Sequence, residues 1–326
     1  MTKCPLEEAF CYRNVFILQP INRKDIPYSP YAKHFPVYLD YWHDEDAGKS
    51  EVDLIQLDIS KLREICAIMT ALSNFEFFTY DSLAQNWGVV APNKSFNSMT
   101  TEDIAEFNVN ARNSIWMGVA GYMYEEFSID RIVSELSILE GNVMMKPDEN
   151  PLYFTDNPIE EDKDKILFHK DITKVLDSYY ALDNKVRKNV YSAIVLIANA
   201  IKLGIYYQSL GFVSFISSIE TMVDLENRNV KVHHCKNCGQ PIYSVKKKFI
   251  DYLVKYVSST ENSKKKFSDL YKLRSKIAHT GKLFLSDTEF SLMNLEQNNK
   301  EWFNYMEIRQ LARLSLYRWL LLNGYN

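Results

Sequence analysis

The sequence predicts an α+β protein, with a mixed N-terminal domain over residues 1–146, a linker over 147–168 and an all-α helical bundle over 169–326. Three observations carry this reading. The 326 residues include only 10 Gly and 10 Pro, too few breakers to punctuate many short strands. Strand-like apolar runs are confined to the first part. Between the two parts stand Pro147-Asp148-Glu149-Asn150-Pro151 and Asn157-Pro158-Ile159-Glu160-Glu161-Asp162, polar and proline-bearing as linkers are.

In the first part, Asn14–Gln19, Pro36–Leu39 and Val52–Ile59 read as strands, and Phe75–Tyr80 alternates well enough for another. Ser60–Leu72 reads as a helix, because Leu62, Ile65, Ile68 and Leu72 fall on one side and Asp58 or Ser60 can cap it. Ser114–Phe127 is rich in Trp, Met and Tyr and fits strand or helix; Ile129–Leu139 has helical spacing. Beyond the linker, helices are predicted over Asp171–Leu182, Lys188–Leu203, Gly211–Leu225, Val245–Val257, Ser263–Ala278 and Ile308–Leu322. A non-helical insert runs from Asn227 to Ile242. Several helices with short connections make a bundle.

Hydrophobic residues at 46% and charged residues at 25% exclude a disordered or low-complexity chain. Glu7 and Glu8 stand where the apolar stretch of a secretion leader would lie, and the five Cys are an odd number. A reducing cytoplasm is the expected compartment. The run Val190–Ile219 carries Lys202 as its one charge, yet Asn199, Tyr206, Tyr207 and Gln208 interrupt it and Gly204 and Gly211 suggest bends. Two buried helices are expected there, not a membrane span.

The net charge of −4 hides an asymmetry. Lys231–Lys282 holds 13 basic and 3 acidic residues, a balance of +10, which leaves 25 basic and 39 acidic residues elsewhere, a balance of −14. A basic stretch inside an acidic chain is the footprint of a polyanion site, and a solvated helix face is the plain alternative. Lys246, Lys247, Lys248, Lys264, Lys265 and Lys276 are its candidate polyanion-binding residues.

Within Ser263–Ala278 the apolar stripe of Phe267, Leu270, Tyr271, Ile277 and Ala278 has Arg274 in its middle. An arginine in such a stripe needs a carboxylate, a path to water or an interface. His279 ends the helix, and Gly281 suits a left-handed cap. Residues five apart point away from each other in an unbroken helix. Arg274 and His279 therefore converge only where the helix ends or across two subunits. Helix capping is the plain role for His279. Glu220 is the lone acid of Gln208–Val223, surrounded by Phe215, Ile216, Ile219 and Val223, and it requires a partner. A structural Lys or Arg is one partner; Arg274, oriented by Glu220, is the other.

Arg274-Ser275-Lys276-Ile277-Ala278-His279 fits the R-x4-6-H motif of the HEPN superfamily, helical ribonuclease and nucleotide-binding domains. Ser214–Val223 (SFISSIETMV), Cys235–Ile242 (CKNCGQPI) and Tyr271–Gly281 (YKLRSKIAHTG) resemble the Apea-like HEPN proteins of bacteria, several of which act in defence against phage. The resemblance covers roughly Lys170–Asn323. It implies a metal-independent endoribonuclease, plausible as an abortive-infection effector, needing no cofactor for catalysis. His279 would move the proton of an RNA 2′-hydroxyl and Arg274 would neutralise the phosphorane, leaving a 2′,3′-cyclic phosphate. The position after the arginine, often Asn, Asp or His in the family, is Ser275 here, which weakens a third catalytic role there.

His233-His234-Cys235-Lys236-Asn237-Cys238-Gly239 has the shape of a zinc knuckle. Cys235 and Cys238 are candidate ligands to a structural zinc, with His233 a weaker third and Cys4, Cys11 or a second subunit able to complete the set. A tight turn with two free thiols is the alternative. RNA is the expected partner, and a homodimer is expected because one histidine does not readily serve as base and acid on opposite sides of a phosphate. A non-catalytic RNA- or nucleotide-binding module and a regulatory interaction protein are the competing functional classes.

Overall fold

The computed structural model describes residues 2–13, 15–20, 35, 37–41, 51–79, 145–155, 164–228, 245–288 and 295–323. Two compact units divide the chain: Met1–Met69, Asn74–Asn150 and Pro158–Lys170 form the first, and Thr70–Ser73, Pro151–Asn157 and Asp171–Asn326 the second. The α+β class is observed, with the sheet in the first unit and a helical bundle in the second.

The first unit contains a three-stranded antiparallel sheet of β1 (Phe10–Tyr12), β2 (Phe16–Pro20) and β3 (Val37–Tyr41), in that order. Phe10 pairs with Leu18 and Tyr12 with Phe16, and all four are buried, so one face of the hairpin supplies core. Arg13 turns the hairpin at φ 46, and the Val15 N–H closes it on the Tyr12 carbonyl at 3.1 Å. β1 is too short for its alternation to be read from sequence.

Helix α1 spans Glu51–Leu72. The expected strand at Val52–Ile59 is therefore helix. No Gly or Pro breaks residues 51–72, and Val52, Ile55 and Ile59 extend the i, i+3, i+7 spacing of the Leu62–Leu72 stripe. The expected strand at Phe75–Tyr80 forms no ladder over its described residues; Phe77 makes an isolated bridge to Thr2. Phe75, Glu76, Phe77 and Phe78 are all buried, so the segment has no solvent face to alternate with. Ser114–Phe127 and Ile129–Leu139 lie outside the described residues.

Parts of the stretch read as a linker are built into the units. The Asp148 N–H bonds the Phe168 carbonyl at 2.7 Å and the Ile166 N–H bonds the Pro5 carbonyl at 2.8 Å. Phe168 packs on Phe10 with ring centroids 4.6 Å apart. In the second unit Phe154 packs on Tyr317 at 4.7 Å.

The second unit runs α2 (Ile172–Ala181), α3 (Asn184–Gly204), α4 (Gln208–Glu226), α5 (Val245–Tyr256), α6 (Glu261–Thr280), α7 (Leu285–Thr288) and α8 (Leu295–Asn323). Asp183 caps α3 by accepting from the N–H groups of Lys185 and Val186. Helix α4 is central and lies against α3, α5, α6, α7 and α8. Its N-terminus has no local cap. Asp287 of α7 supplies one from a distance, accepting from the Gln208 and Ser209 N–H groups at 2.7 and 2.8 Å. No helix among the described residues is long and apolar enough to cross a membrane. Helix α7 is too short for a sequence signal, and α8 begins earlier than expected because its first turns are largely polar.

Gly204 and Gly211 serve close approach, not bending. A Cβ on Gly204 would fall inside the Tyr305 phenol, and one on Gly211 would stand 2.7 Å from the Ala200 carbonyl oxygen. Tyr305 is buried and donates to that same carbonyl at 3.2 Å. Gly204→Ala should lower unfolding stability by about 1–3 kcal/mol, the usual cost of overpacking. Urea denaturation checks it, and an unchanged midpoint would contradict this account of the α3–α4–α8 contact.

Candidate functional site

The site is built on α6. Thr260 caps its start, accepting from the Ser263 N–H at 3.2 Å. Gly281 ends it in the left-handed region at φ 64, its N–H bonding the Ile277 carbonyl at 3.1 Å. The helix is continuous between these caps, so Arg274 and His279 both lie inside it. Five helical residues correspond to about 140° around the axis. Arg274 therefore shares the face of the buried Phe267, Leu270 and Ile277, while His279 is exposed. Within one chain, α6 does not bring the two side chains together.

Arg274 turns toward α4. Its Nη2 donates to Glu220 Oε2 at 3.0 Å, with side chains 21% and 18% exposed. The other carboxylate oxygen, Oε1, accepts from the Tyr271 hydroxyl at 3.0 Å. Glu220 is thus satisfied on both oxygens by groups one helical turn apart on α6. Burial and the hydrogen bond to the Glu220 carboxylate together push the Tyr271 phenol up to about 12, burial being the larger cause. Arg274 Nε is buried without a partner among the described residues. Ser275 donates to its own helix, to the Tyr271 carbonyl at 3.2 Å. Tyr271 was legible only as part of the apolar stripe; its place three residues before Arg274 is the signal that could have found its polar role.

The basic stretch is partly neutralised by carboxylates from elsewhere. Lys255 pairs with Glu226 and Lys266 with Glu307, and Arg274 pairs with Glu220. Lys264 pairs with Glu261 at 2.7 Å and Lys272 with Asp269 at 2.9 Å, both within α6. Lys246, Lys247 and Lys248 occupy the first turn of α5. These three, with Lys265, Lys276 and Lys282, make no ion pair among the described residues. Lys265, Lys276, His279 and Lys282 are all exposed. Asp269 registers the local field: its carboxyl is held below its ordinary value first by the Lys272 hydrogen bond, then by the charges of Lys272, Lys265 and Lys246.

Cys235, Cys238 and His233 lie outside the described residues. Among the described residues no group of three metal-ligating side chains occurs. Cys4 is buried, and Cys11 donates to the Arg13 carbonyl at 3.4 Å. No family model, curated protein or solved structure matches the chain.

Breaking the Glu220–Arg274 pair strands one charge in a partly buried site. A double-mutant cycle with Glu220→Ala and Arg274→Ala should give a coupling of about 1–3 kcal/mol, the range of charge-assisted bonds. Urea unfolding of the four proteins checks it, and additivity would show that the pair is energetically idle. Tyr271 sets a pH dependence. Its phenol is raised from 10.0 to about 12, so the folded state holds its proton where the unfolded chain has lost it. The stabilisation is full below pH 10, and it is lost as pH rises through about 12. Stability should fall more steeply across that window in the parent than in Tyr271→Phe; parallel curves would refute the shift.

Proposed function

We propose that the second unit is a HEPN-type, metal-independent endoribonuclease that works as a homodimer. The observation that carries this reading is His279, exposed in the last turn of the helix on which Arg274 is anchored by Glu220. The exposed His279 imidazole can accept the proton of an RNA 2′-hydroxyl. The 2′-oxygen then bonds to phosphorus, and the bond to the 5′-oxygen breaks as that oxygen takes a proton from a second acid. A two-fold axis beside α6 would supply that acid as His279 of the second copy. Arg274 remains 21% exposed, and with Nη2 held by Glu220 and Nε buried, Nη1 is the donor left for a phosphate oxygen. The resemblance of the helical unit to bacterial defence proteins extends the proposal to an abortive-infection role.

A second reading has an observation in its favour. Arg274 and His279 sit on different faces of an unbroken helix, and Arg274 is committed to Glu220. A module that binds RNA without cutting it needs no convergence of the two.

Cleavage of structured RNA by the purified chain separates the readings. On the nuclease reading, cutting persists in EDTA and falls on the order of 100-fold or more in His279→Ala, the usual worth of a general acid–base group. Mixing Arg274→Ala with His279→Ala protein should restore part of the activity through mixed dimers. Unchanged cutting by a folded His279→Ala protein would sink the nuclease reading, and salt-sensitive binding without any cutting would favour the second.

A further inference from the structure

Two adjoining grooves of about 690 and 500 Å³ run along α8, the second between it and α6. They share Lys266, Lys300 and Asn304 and so form one continuous track. Their lining is unusual in how much of it is uncommitted. Lys276 and Lys300 make no ion pair among the described residues, and the amides of Asn299, Asn304 and Gln310 make no hydrogen bond there. Phe303 is 64% exposed in the same track, with Trp302 against it at 5.3 Å in an edge-to-face arrangement.

The acids of the track do not offset this. Asp269 and Glu307 are each paired to a lysine of the track, Lys272 and Lys266. Glu301 is 7% exposed, and its two oxygens accept from the Leu285 N–H and from Gln297 Nε2. The charge left facing solvent is positive, and Lys265 and Lys282 continue it along α6.

Three kinds of uncommitted group thus share one groove: ammonium groups, amides that both donate and accept, and an open aromatic face. Single-stranded nucleic acid presents their three complements, which are phosphates, unpaired base edges and base faces. A duplex hides the last two. A docked apolar helix would leave the amides and ammonium groups buried without partners.

We propose that the α6–α8 groove is a single-stranded nucleic-acid track, in which a base stacks on Phe303 and successive phosphates on one side of it meet Lys300 and Lys276. The choice of RNA as the strand rests on the function proposed above; the track itself does not require cleavage.

The test uses the full chain carrying His279→Ala, so that bound RNA stays intact. Fluorescence anisotropy is read with a labelled single-stranded oligoribonucleotide of about 12 nucleotides, within the span such sites cover. Phe303→Ala should weaken binding about five- to a hundredfold, and Phe303→Trp should retain it. Lys276→Ala with Lys300→Ala should lower the salt dependence by about 1.4, at about 0.7 for each phosphate contact on a single strand. A duplex of the same sequence should bind more weakly. These side chains are on the surface, and an unchanged melting temperature confirms that each variant is folded. Phe303→Ala binding as tightly as its background, or a duplex binding as well as the single strand, would overturn the track. Conversion of a dimer to a monomer by Phe303→Ala, with RNA affinity unchanged, would also overturn it, by making the groove a contact between copies. Cleavage that survives Phe303→Ala in the His279 parent at full affinity removes the track alone. Phe303-dependent binding by a chain that never cuts keeps the track and removes the nuclease.

Discussion

The second unit is organised by one carboxylate. Helix α4 is packed by other helices on nearly every side, and Glu220 is the sole acid between Gln208 and Val223. A carboxylate in that position is costly unless its oxygens are bonded. Arg274 and Tyr271 bond both of them and, with the buried Phe267, Leu270 and Ile277 on the same face, set which side of α6 turns inward. All that α6 presents to solvent follows from that rotation. Lys265, Lys272, Lys276 and His279 fall on the outer face because Arg274 occupies the inner one.

The same rotation explains how a strongly basic segment sits in an acidic chain. Lys266, at the margin of the outer face, reaches Glu307 of α8 and is neutralised there, as Lys255 of α5 is by Glu226 of α4. Lys265 and Lys276 make no such pair among the described residues. Local sequence charge therefore overstates the field but locates its residue: what survives compensation lies in the first turn of α5 and along α6, and continues onto α8 at Lys300.

How much of this could be read from the sequence depended on whether the determining contact was local. The C-terminal helices were legible because their apolar spacing repeats over several turns, and the end of α6 was legible because Gly281 follows it directly. Glu220 was legible as a residue needing a partner, since one acid in an apolar helix announces its own deficit. Arg274 as that partner was one of two alternatives, since residues 54 apart in sequence carry no register signal. The strand expected at Val52–Ile59 failed for a related reason. Alternation and helical spacing coincide over eight residues, and only the continuity into Leu62–Leu72 separates them. The cap that Asp287 gives α4 and the hydroxyl that Tyr271 gives Glu220 were hidden because both are tertiary. The groove was hidden as well, since Phe303 and Lys300 read as ordinary surface residues until α6 lies beside α8.

The two caps of α6 carry the last consequence. Were the helix to end one turn earlier, His279 would be free to fold back toward Arg274, and one chain could assemble both groups at a single phosphate. Thr260 and Gly281 hold the helix to its full length instead, and Gly281 does so with a left-handed conformation that a side chain would resist. Rigid placement on different faces excludes a site made by one α6 alone and is compatible with the homodimer proposed above. In a two-fold arrangement the inner-edge group of one helix can approach the outer-edge group of the other without either helix changing. On the proposed homodimer, the cap that separates Arg274 from His279 within a chain would also make their meeting between chains reproducible, and shared chemistry would then depend on assembly of the pair.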